Sequence, residues 1–249
     1  MIPVYRTEKT IQHHECGADA ALKLKDMLDY LQDVAGQHAD ELGVGLNSLG
    51  GKRMLWVLSR LRVAVDGELS VGTPFTLETY PTGTNLLFAV RQYTMKNGDS
   101  TLLRGTSYWL LLDADTFKPL KPLDHLPPLI RDTQDGEQYF RDLGKIQKMD
   151  VVERRPYRIS WSDIDEVGHL NNAVYGRFIY DAVGEITGGA PHIREFQINY
   201  NHQVLNGETV YCGGVRRDDG WIYVDGLSED GKTCSFQAIC HASPGTSPS

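Results

Sequence analysis

The chain has 249 residues, a length that suits one or two domains. A hydrophobic share of 41% with 23% charged residues is typical of a globular protein and argues against a disordered or fibrous chain. With 25 basic and 33 acidic residues, the net charge of −8 has the wrong sign for coating a nucleic-acid backbone. The apolar runs are too short to span a membrane and no signal-peptide pattern is present, so we expect a cytoplasmic protein.

The first half predicts one helix followed by strands. Residues 19–42 carry apolar side chains at helical spacing and predict a long amphipathic helix. The Asn97-Gly98 pair supplies the positive φ angles of a tight hairpin, so the strands on either side of it are expected to be antiparallel. The predicted strands of this half are 54–65, 75–80, 86–95 and 102–113.

The second half has the same order. A helix is predicted over residues 170–186, with Asn171 or Asn172 suited to cap its start. A second hairpin is predicted at Asp230-Gly231. The predicted strands of this half are 194–201, 208–215, 221–227 and 234–241.

The strand predicted at 194–201 alternates apolar and polar side chains, which is the period of a sheet with one buried face. We expect the apolar set to face the core and the polar set to face water. The apolar set is Phe196, Ile198 and Tyr200, and the polar set is Glu195, Gln197, Asn199 and Asn201.

Because a helix followed by four strands occurs twice, the sequence predicts a duplicated unit of the α+β class, each with an antiparallel sheet around a long helix. The N-terminal unit is predicted over residues 1–113 and the C-terminal unit over 151–242. Residues 114–150 are rich in proline and charge and predict a crossover linker. Residues 243–249 predict a flexible tail.

Several common catalytic devices are absent from the sequence, including the phosphate-binding loop, the H-E-x-x-H zinc helix and the G-x-S-x-G elbow. The run from His13 to Cys16 holds four ligand-type side chains, but neighbouring residues rarely converge on one ion. We therefore predict neither a metal nor a cofactor.

Residues 161–175, WSDIDEVGHLNNAVY, concentrate polar groups where a strand meets a helix. Free backbone N–H groups and the positive end of a helix dipole lie at such a junction and can hold a developing oxyanion. A nearby carboxylate can then act as general base or nucleophile. On the residues alone, the alternative is that Asp163 and Asp165 shape a turn and that Asn171 and Asn172 cap the helix.

This segment resembles the S-D-[IL]-D-x-N-x-H-[VL]-N-N-x-x-Y signature of the acyl-acyl-carrier-protein thioesterases. Those proteins consist of two tandem hot-dog units, and the resemblance covers most of the chain. It implies hydrolysis of fatty acyl-acyl-carrier-protein with release of a free fatty acid. A shorter form of the motif also occurs in hot-dog thioesterases acting on acyl-CoA. An acyl-CoA thioesterase and a non-catalytic lipid-binding hot-dog protein are therefore the alternatives.

Carried over by position, the resemblance implies that Asp165 is the catalytic carboxylate and His169 its polar partner. Backbone N–H groups around residues 170–172 would polarise the thioester carbonyl. Two positions depart from the family: its catalytic asparagine is Val167 here, and its downstream glutamate falls at Gln203. Valine cannot hydrogen-bond and glutamine cannot act as a base. The implied catalytic residues are Asp165, His169, Asn171, Asn172 and Gln203.

Acyl-chain length is expected to depend on side chains at the end of an apolar tunnel, for which plain core packing is the alternative. Aligning the two helix starts places Asp165 opposite His14 and His169 opposite Ala18, so we predict one active site per chain, with the first unit shaping the acyl pocket. The candidate substrate-binding residues are Met27, Leu31, Trp56 and Phe88.

The implied partner is an acyl carrier protein, which is acidic and should seek a basic surface. We predict no nucleic-acid or membrane partner, and either a monomer or a homodimer. The two candidate docking clusters are Lys52, Arg53, Arg60 and Arg62, and Lys145, Lys148, Arg154, Arg155 and Arg158.

Overall fold

A computed structural model describes residues 4–127, 130 and 136–245. Within these ranges no helix is long and apolar enough to cross a membrane. Parts of the predicted linker and tail, namely 128–129, 131–135 and 246–249, lie outside the described residues.

The chain folds into two compact units that interleave in sequence. The boundaries predicted from the repeat, at residues 113, 150 and 242, stay predictions. The first unit comprises Met1–Thr10, Tyr30–Gly67 and Thr73–Leu143, and the second Ile11–Asp29, Glu68–Gly72 and Gly144–Ser249.

The first unit is an antiparallel sheet with strand order β1-β3-β4-β5-β2, and the short β6 pairs with β5. Gly98 has a φ of +57° between β4 and β5, so the predicted hairpin is confirmed. The strands are β1 (Tyr5–Thr10), β2 (Met54–Val65), β3 (Pro74–Asn85), β4 (Phe88–Asn97), β5 (Ser100–Asp113) and β6 (Pro119–Leu120). The helices are α1 (Leu24–Glu41), of which residues 30–41 belong to this unit, α2 (Leu46–Gly50) and α3 (Pro122–His125).

The second unit repeats this topology, with strand order β7-β9-β10-β11-β8. Its long helix is α4 (Val174–Thr187), which packs on β8 to β11 and ends at Gly188 in the left-handed region. The predicted α+β class, with a sheet and a long helix in each half, is confirmed. The strands are β7 (Arg155–Arg158), β8 (Pro191–Tyr200), β9 (Thr209–Arg216), β10 (Ile222–Leu227) and β11 (Cys234–Pro244).

The prediction that the polar set of β8 faces water was wrong for Gln197 and Asn199, whereas Asn201 is exposed. Gln197 is 5% exposed and Asn199 is 3% exposed. The Gln197 side-chain amide donates to the Gly144 carbonyl at 2.8 Å, and the Asn199 amide donates to the same oxygen at 3.3 Å. The backbone at Gly144 covers this face, and its carbonyl needs donors, so polar residues are buried here.

The first unit has the same arrangement on the face of its sheet that lies opposite α1. The Tyr139 N–H donates to the Gln92 side-chain oxygen at 3.2 Å, and the Phe140 N–H donates to the Thr106 hydroxyl at 3.1 Å. Gln92 and Thr106 are both fully buried. A chain segment without helix or strand therefore covers part of this face, held by side chains that replace the missing backbone pairing.

A buried ion pair lies on the covered face of the second unit. Asp225 on β10 has no exposed surface, and its carboxylate pairs with Arg154. The Tyr223 hydroxyl donates to the other carboxylate oxygen at 3.0 Å, and the Arg154 guanidinium also donates to the Tyr211 carbonyl at 3.3 Å. These bonds tie the segment that precedes β7 to the sheet.

We expect Asp225→Asn to lower the free energy of unfolding by about 2–4 kcal/mol, because it leaves a largely buried guanidinium without its charge partner. Asp219→Asn is the matched control: Asp219 pairs with Arg217 in an exposed turn, and we expect a change under about 0.5 kcal/mol. Urea unfolding measures both. Equal losses in the two variants would contradict this account of the pair.

Candidate active site

A 3-10 turn at Trp161–Asp163 leads from β7 into the motif. The Ser160 N–H donates to Asp163 Oδ2 at 3.1 Å, and Arg177 on α4 donates to Asp163 Oδ1 at 3.3 Å. Asp163 is 8% exposed. One oxygen of Asp163 holds the turn and the other pairs with the helix, so Asp163 is a structural residue; of the two aspartates, Asp165 stays the predicted catalytic carboxylate.

Asp165 closes a tight loop with His169. The Asp165 N–H donates to the His169 carbonyl at 2.9 Å, and the Gly168 N–H donates to the Asp165 carbonyl at 3.0 Å. Gly168 has a φ of +85°, a conformation that favours glycine. The N–H groups of Val167 and His169 both donate to Asp165 Oδ1, at 3.0 and 3.3 Å. The loop thus fixes the carboxylate through one of its two oxygens.

The groups that remain open are those expected to meet a substrate. Asp165 Oδ2 accepts no hydrogen bond from residues 4–127, 130 or 136–245. The His169 imidazole likewise has no hydrogen-bond partner in that part of the chain, and both residues are half-buried. Val167, the departure from the family pattern, is 50% exposed and contributes only its backbone N–H to the loop.

Two of the three amides predicted to polarise a carbonyl are already occupied. The Leu170 N–H donates to the Val204 carbonyl at 2.8 Å, and the Asn171 N–H donates to the Asp163 carbonyl at 2.9 Å. The prediction was wrong for these two, because their acceptors come from a later loop and from the preceding turn. The Asn172 N–H has no acceptor among the described residues and stays available.

The two asparagines have different positions at the start of α4. The Asn171 side-chain oxygen accepts the Ala173 N–H at 2.8 Å, so Asn171 orders the first turn. The Asn172 side chain makes no hydrogen bond within the described ranges, and its carbonyl accepts the Tyr200 hydroxyl at 3.4 Å. Asn172 therefore presents a free amide and a free side chain at the positive end of the helix dipole.

The loop between β8 and β9 carries Gln203 and is anchored to the motif on both sides of that residue. The carbonyl of His202 accepts the Tyr175 hydroxyl at 3.5 Å, and the carbonyl of Val204 accepts the Leu170 N–H. Gln203 itself is exposed. Its backbone is thus held beside the start of α4, while its side chain extends into solvent.

Tyr175 and Glu208 also lie in this region, and neither was assigned a role from the sequence. Tyr175 is buried, and burial raises the pKa of its phenol, with the negative charges of Glu208 and Asp165 adding to the effect. Its hydroxyl therefore stays protonated and donates to the β8–β9 loop. Tyr175 could have been found from the sequence, because it is the final tyrosine of the motif. No sequence pattern pointed to Glu208.

The turn that follows β1 repeats this backbone frame without its chemistry. The Gly17 N–H donates to the Ala21 carbonyl at 2.8 Å, as the Asp165 N–H does to the His169 carbonyl. Ala20 has a φ of +60° where the motif has Gly168. The two frames are equivalent, and the first has glycine and alanine at the carboxylate and imidazole positions.

The predicted alignment of the two halves was therefore wrong by three residues. It placed Asp165 opposite His14 and His169 opposite Ala18. The equivalent hydrogen bonds instead show that Asp165 corresponds to Gly17 and His169 to Ala21. The His13–Glu15 run instead forms the 3-10 turn equivalent to Trp161–Asp163.

The family follows from comparison with known proteins. A model described as the acyl-ACP thioesterase N-terminal domain matches residues 3–126, and one described as the C-terminal domain matches residues 146–236, ACP being acyl carrier protein. The chain belongs to the acyl-ACP thioesterase family.

Curated relatives are longer than this chain. It is 25% identical over 199 residues to the chloroplastic palmitoyl-acyl carrier protein thioesterase of Arabidopsis thaliana, covering 72% of the chain and 47% of that protein. It is 25% identical over 241 residues to the chloroplastic dodecanoyl-[acyl-carrier-protein] hydrolase of Cinnamomum camphora, covering 85% of the chain and 60% of that protein. The chain thus spans about half the length of the curated relatives it matches.

Solved structures share the fold over the whole chain. An acyl-ACP thioesterase from Bacteroides thetaiotaomicron matches with a TM-score of 0.86 and 21% identity, covering 96% of this chain and 97% of the other. The 12:0-ACP thioesterase from Umbellularia californica matches with a TM-score of 0.79 and 19% identity, covering 97% of each chain. At these identities the likeness shows the hot-dog architecture.

The four residues predicted to bind the acyl chain have different environments in this acyl-ACP thioesterase family member. Met27 and Leu31 are buried on α1, and the Trp56 indole N–H donates to the Val44 carbonyl at 2.9 Å. Phe88 packs with Val90 on the covered face of the first sheet, opposite the face that carries Ala89. Their role in acyl binding stays a prediction.

One arginine of the second predicted docking cluster is largely buried. Arg154 is held in the buried pair with Asp225, so it is not available to a partner protein; its assignment to a docking surface was wrong. The sequence showed its charge but not its acidic partner on β10. Lys145, Lys148 and Arg158 are exposed on the same unit.

Arginines of the other cluster are held within the first unit. Arg60 donates to the Leu143 carbonyl, and the Arg62 guanidinium lies 4.8 Å from the centre of the Phe140 ring. Arg53 pairs with Asp115 in an exposed turn.

We expect Asp165→Ala to lower the free energy of unfolding by about 1–2 kcal/mol, because two loop amides lose their acceptor. Asp165→Asn keeps an amide oxygen that can accept both bonds, so its loss should be under about 1 kcal/mol. Urea unfolding of the two variants measures this difference. Equal stability of the alanine variant and the wild type would show that the carboxylate does not hold the loop.

Proposed function

We propose that this protein hydrolyses the thioester bond of fatty acyl-acyl-carrier-protein and releases the free fatty acid, as in the termination of fatty acid synthesis. The observation that carries the proposal is Asp165. One of its oxygens is fixed by two backbone amides and the other is unpaired, at the start of α4. A carboxylate held in this way can face a reacting carbonyl without reorganising.

The reaction has two routes on this arrangement. In the first, Asp165 takes a proton from a water molecule, whose oxygen adds to the thioester carbonyl carbon. In the second, Asp165 Oδ2 adds directly and forms an anhydride, which water then cleaves. In both, the carbon–sulfur bond breaks, the thiol leaves with a proton, and the products are a carboxylic acid and the free carrier thiol.

The developing oxyanion is assigned to the free Asn172 N–H. That amide lies two residues before the first residue of a 14-residue helix, at the end where the dipole favours negative charge. Because the Leu170 and Asn171 amides hold the loop, their part is to keep the Asn172 amide in place. One preorganised donor of this kind is worth roughly 10²–10³ in rate.

His169 is assigned to orient the water or the thioester, since its backbone pairs with that of Asp165 and its imidazole has no hydrogen-bond partner among the described residues. Gln203 has no basic group, so its role is limited to hydrogen bonding with the substrate. Asn171 acts through the helix start that it orders.

The carrier protein is preferred over coenzyme A as the thiol because the acyl-ACP thioesterase family models match both halves of the chain and the curated relatives are named for acyl carrier protein. The acyl-CoA and non-catalytic alternatives remain, and the two experiments below separate them from the proposal. Cytoplasmic location and a monomeric or homodimeric state stay predictions. Met27, Leu31, Trp56 and Phe88 stay the proposed acyl-chain determinants, to be tested with a panel of acyl lengths.

Asp165→Asn should lower kcat/KM for an acyl-ACP substrate by about 10²–10⁴-fold, because an amide cannot take a proton or add to a carbonyl. Circular dichroism should show the fold unchanged. Glu166→Gln is the matched control, since Glu166 is an exposed carboxylate on the adjacent residue, and its rate should stay within twofold of the wild type. Hydrolysis at the wild-type rate by Asp165→Asn, or none by the wild type, would refute the proposal.

The docking surface can be tested with Lys145→Glu combined with Lys148→Glu. We expect KM for acyl-ACP to rise at least fivefold at low salt, because the carrier protein is acidic, with no change for a short acyl-CoA. Lys232→Glu reverses an equally exposed charge in the β10–β11 turn and should leave both KM values unchanged. Equal effects of the double variant on both substrates would rule out this docking surface.

A further inference from the structure

Arg91 is a buried cation in the first unit, on the face of β4 that meets α1. Only 9% of its surface is exposed, and the His38 side chain that it contacts on α1 is 2% exposed. The other residues on this face of β4, Tyr93 and Met95, are almost completely buried, so the face belongs to the core. An arginine at such a position is costly unless its charge is compensated.

The protein supplies neutral partners for this guanidinium. Arg91 Nη1 lies 2.9 Å from His38 Nδ1 and donates to the Thr79 hydroxyl at 3.1 Å. Burial and the nearby Arg91 charge lower the pKa of His38 to about 4, so the imidazole is uncharged at neutral pH and accepts the bond. Both bonds use the same nitrogen.

No carboxylate compensates the charge. In residues 4–127, 130 and 136–245, Arg91 forms no ion pair with aspartate or glutamate. Burial lowers the pKa of its guanidinium, and the one opposing influence is the Tyr93 phenol. That phenol is itself bound to the Ser107 hydroxyl at 3.0 Å. Among the described residues, the positive charge therefore has no carboxylate partner.

The free side of Arg91 has the shape of a carboxylate site. Its Nε and Nη2 atoms form no hydrogen bond with any described residue. The residue keeps 9% of its surface exposed, and neither atom is among the fully buried, unpartnered side-chain atoms of the described ranges. The Nε and Nη2 hydrogens point in parallel, the geometry that binds both oxygens of a carboxylate.

The surroundings favour an aliphatic ligand. Ala89, two residues from Arg91 on the same strand face, packs against an apolar cluster of Val44, Leu126 and Ile130. Ala39, Leu42 and Trp56 pack against the same cluster. Ala39 and Leu42 follow His38 on and after helix α1. A carboxylate at the guanidinium would thus have hydrocarbon contacts beside it, and a single arginine suits one negative charge better than the two of a phosphate.

We propose that Arg91 is a binding subsite for the carboxylate of an aliphatic acid, which takes the Nε and Nη2 edge while Thr79 and His38 hold Nη1. The carboxylate can belong to a free fatty acid, or to the far end of an acyl chain that carries a second carboxyl group. The assignment of the ligand class rests on the proposed function, but binding of the free acid does not require turnover.

The first arm of the test measures binding by calorimetry at pH 8, with decanoate and decan-1-ol as probes. Wild-type protein should bind decanoate at least tenfold more tightly than the alcohol, and Arg91→Met should abolish that difference. Arg104→Met is the matched control, since Arg104 is a surface arginine of the same sheet that pairs with Asp66. It should retain the wild-type preference.

The second arm compares hydrolysis of decanoyl and ω-carboxydecanoyl thioesters. A kcat/KM ratio that favours the ω-carboxy substrate at least fivefold in the wild type and is lost in Arg91→Met identifies the far end of the chain as the source. A preference confined to the first arm identifies the free acid. If neither arm depends on Arg91, the subsite is refuted, and wild-type protein that hydrolyses no thioester refutes the proposed function alone.

Protein stability separates binding from a structural role. Because Arg91→Met removes an uncompensated buried charge, its melting temperature should equal or exceed that of the wild type. If the methionine variant does not fold, Arg91→Lys decides: it keeps the charge but lacks the parallel donors, and decanoate affinity should fall at least fivefold. Unchanged affinity in Arg91→Lys would overturn the proposal.

Discussion

The hydrogen bonds from two loop amides to one oxygen of Asp165 determine the rest of the candidate site. They hold the carboxylate inside the loop that the backbones of Asp165 and His169 close, in which Gly168 has a left-handed backbone. They also leave the second oxygen without a partner. One side chain is thus part of the loop through one oxygen, and in the proposed reaction its other oxygen faces the thioester carbonyl.

The repeat of this frame after β1 separates the fold from the chemistry. The same backbone bonds form around Gly17 and Ala21, with no carboxylate or imidazole at those positions. The backbone frame therefore forms without a carboxylate or an imidazole, which fits the prediction of one active site per chain.

The sequence predicted the architecture well because periodicity reports burial directly. Both long helices, the strand segments and the Asn97-Gly98 hairpin were found from spacing and turn chemistry. Gln197 and Asn199 were misassigned because polar residues on a strand indicate water unless the covering backbone is known. The covering backbone is at Gly144, in a segment whose sequence shows no helix or strand periodicity.

The position of the candidate site could be predicted from the sequence, but its hydrogen-bond partners could not. Its motif identified Asp165 and His169, whereas the partners of the Leu170 amide and of Arg154 lie more than 30 residues away and leave no local signal. The alignment of the two halves failed for a related reason. It was based on helix starts, and the distance from the turn to the helix differs between the halves. Equivalent hydrogen bonds, rather than equivalent helix ends, define the repeat.

The most direct test of the account is a single-turnover experiment with enzyme in excess over a decanoyl-ACP thioester, quenched over time and followed by the appearance of decanoate. We predict complete conversion by the wild type. The Asp165→Asn variant should still bind the thioester but should not hydrolyse it. Conversion at the wild-type rate by the amide variant would contradict the assignment of the reaction to the unpaired oxygen of Asp165.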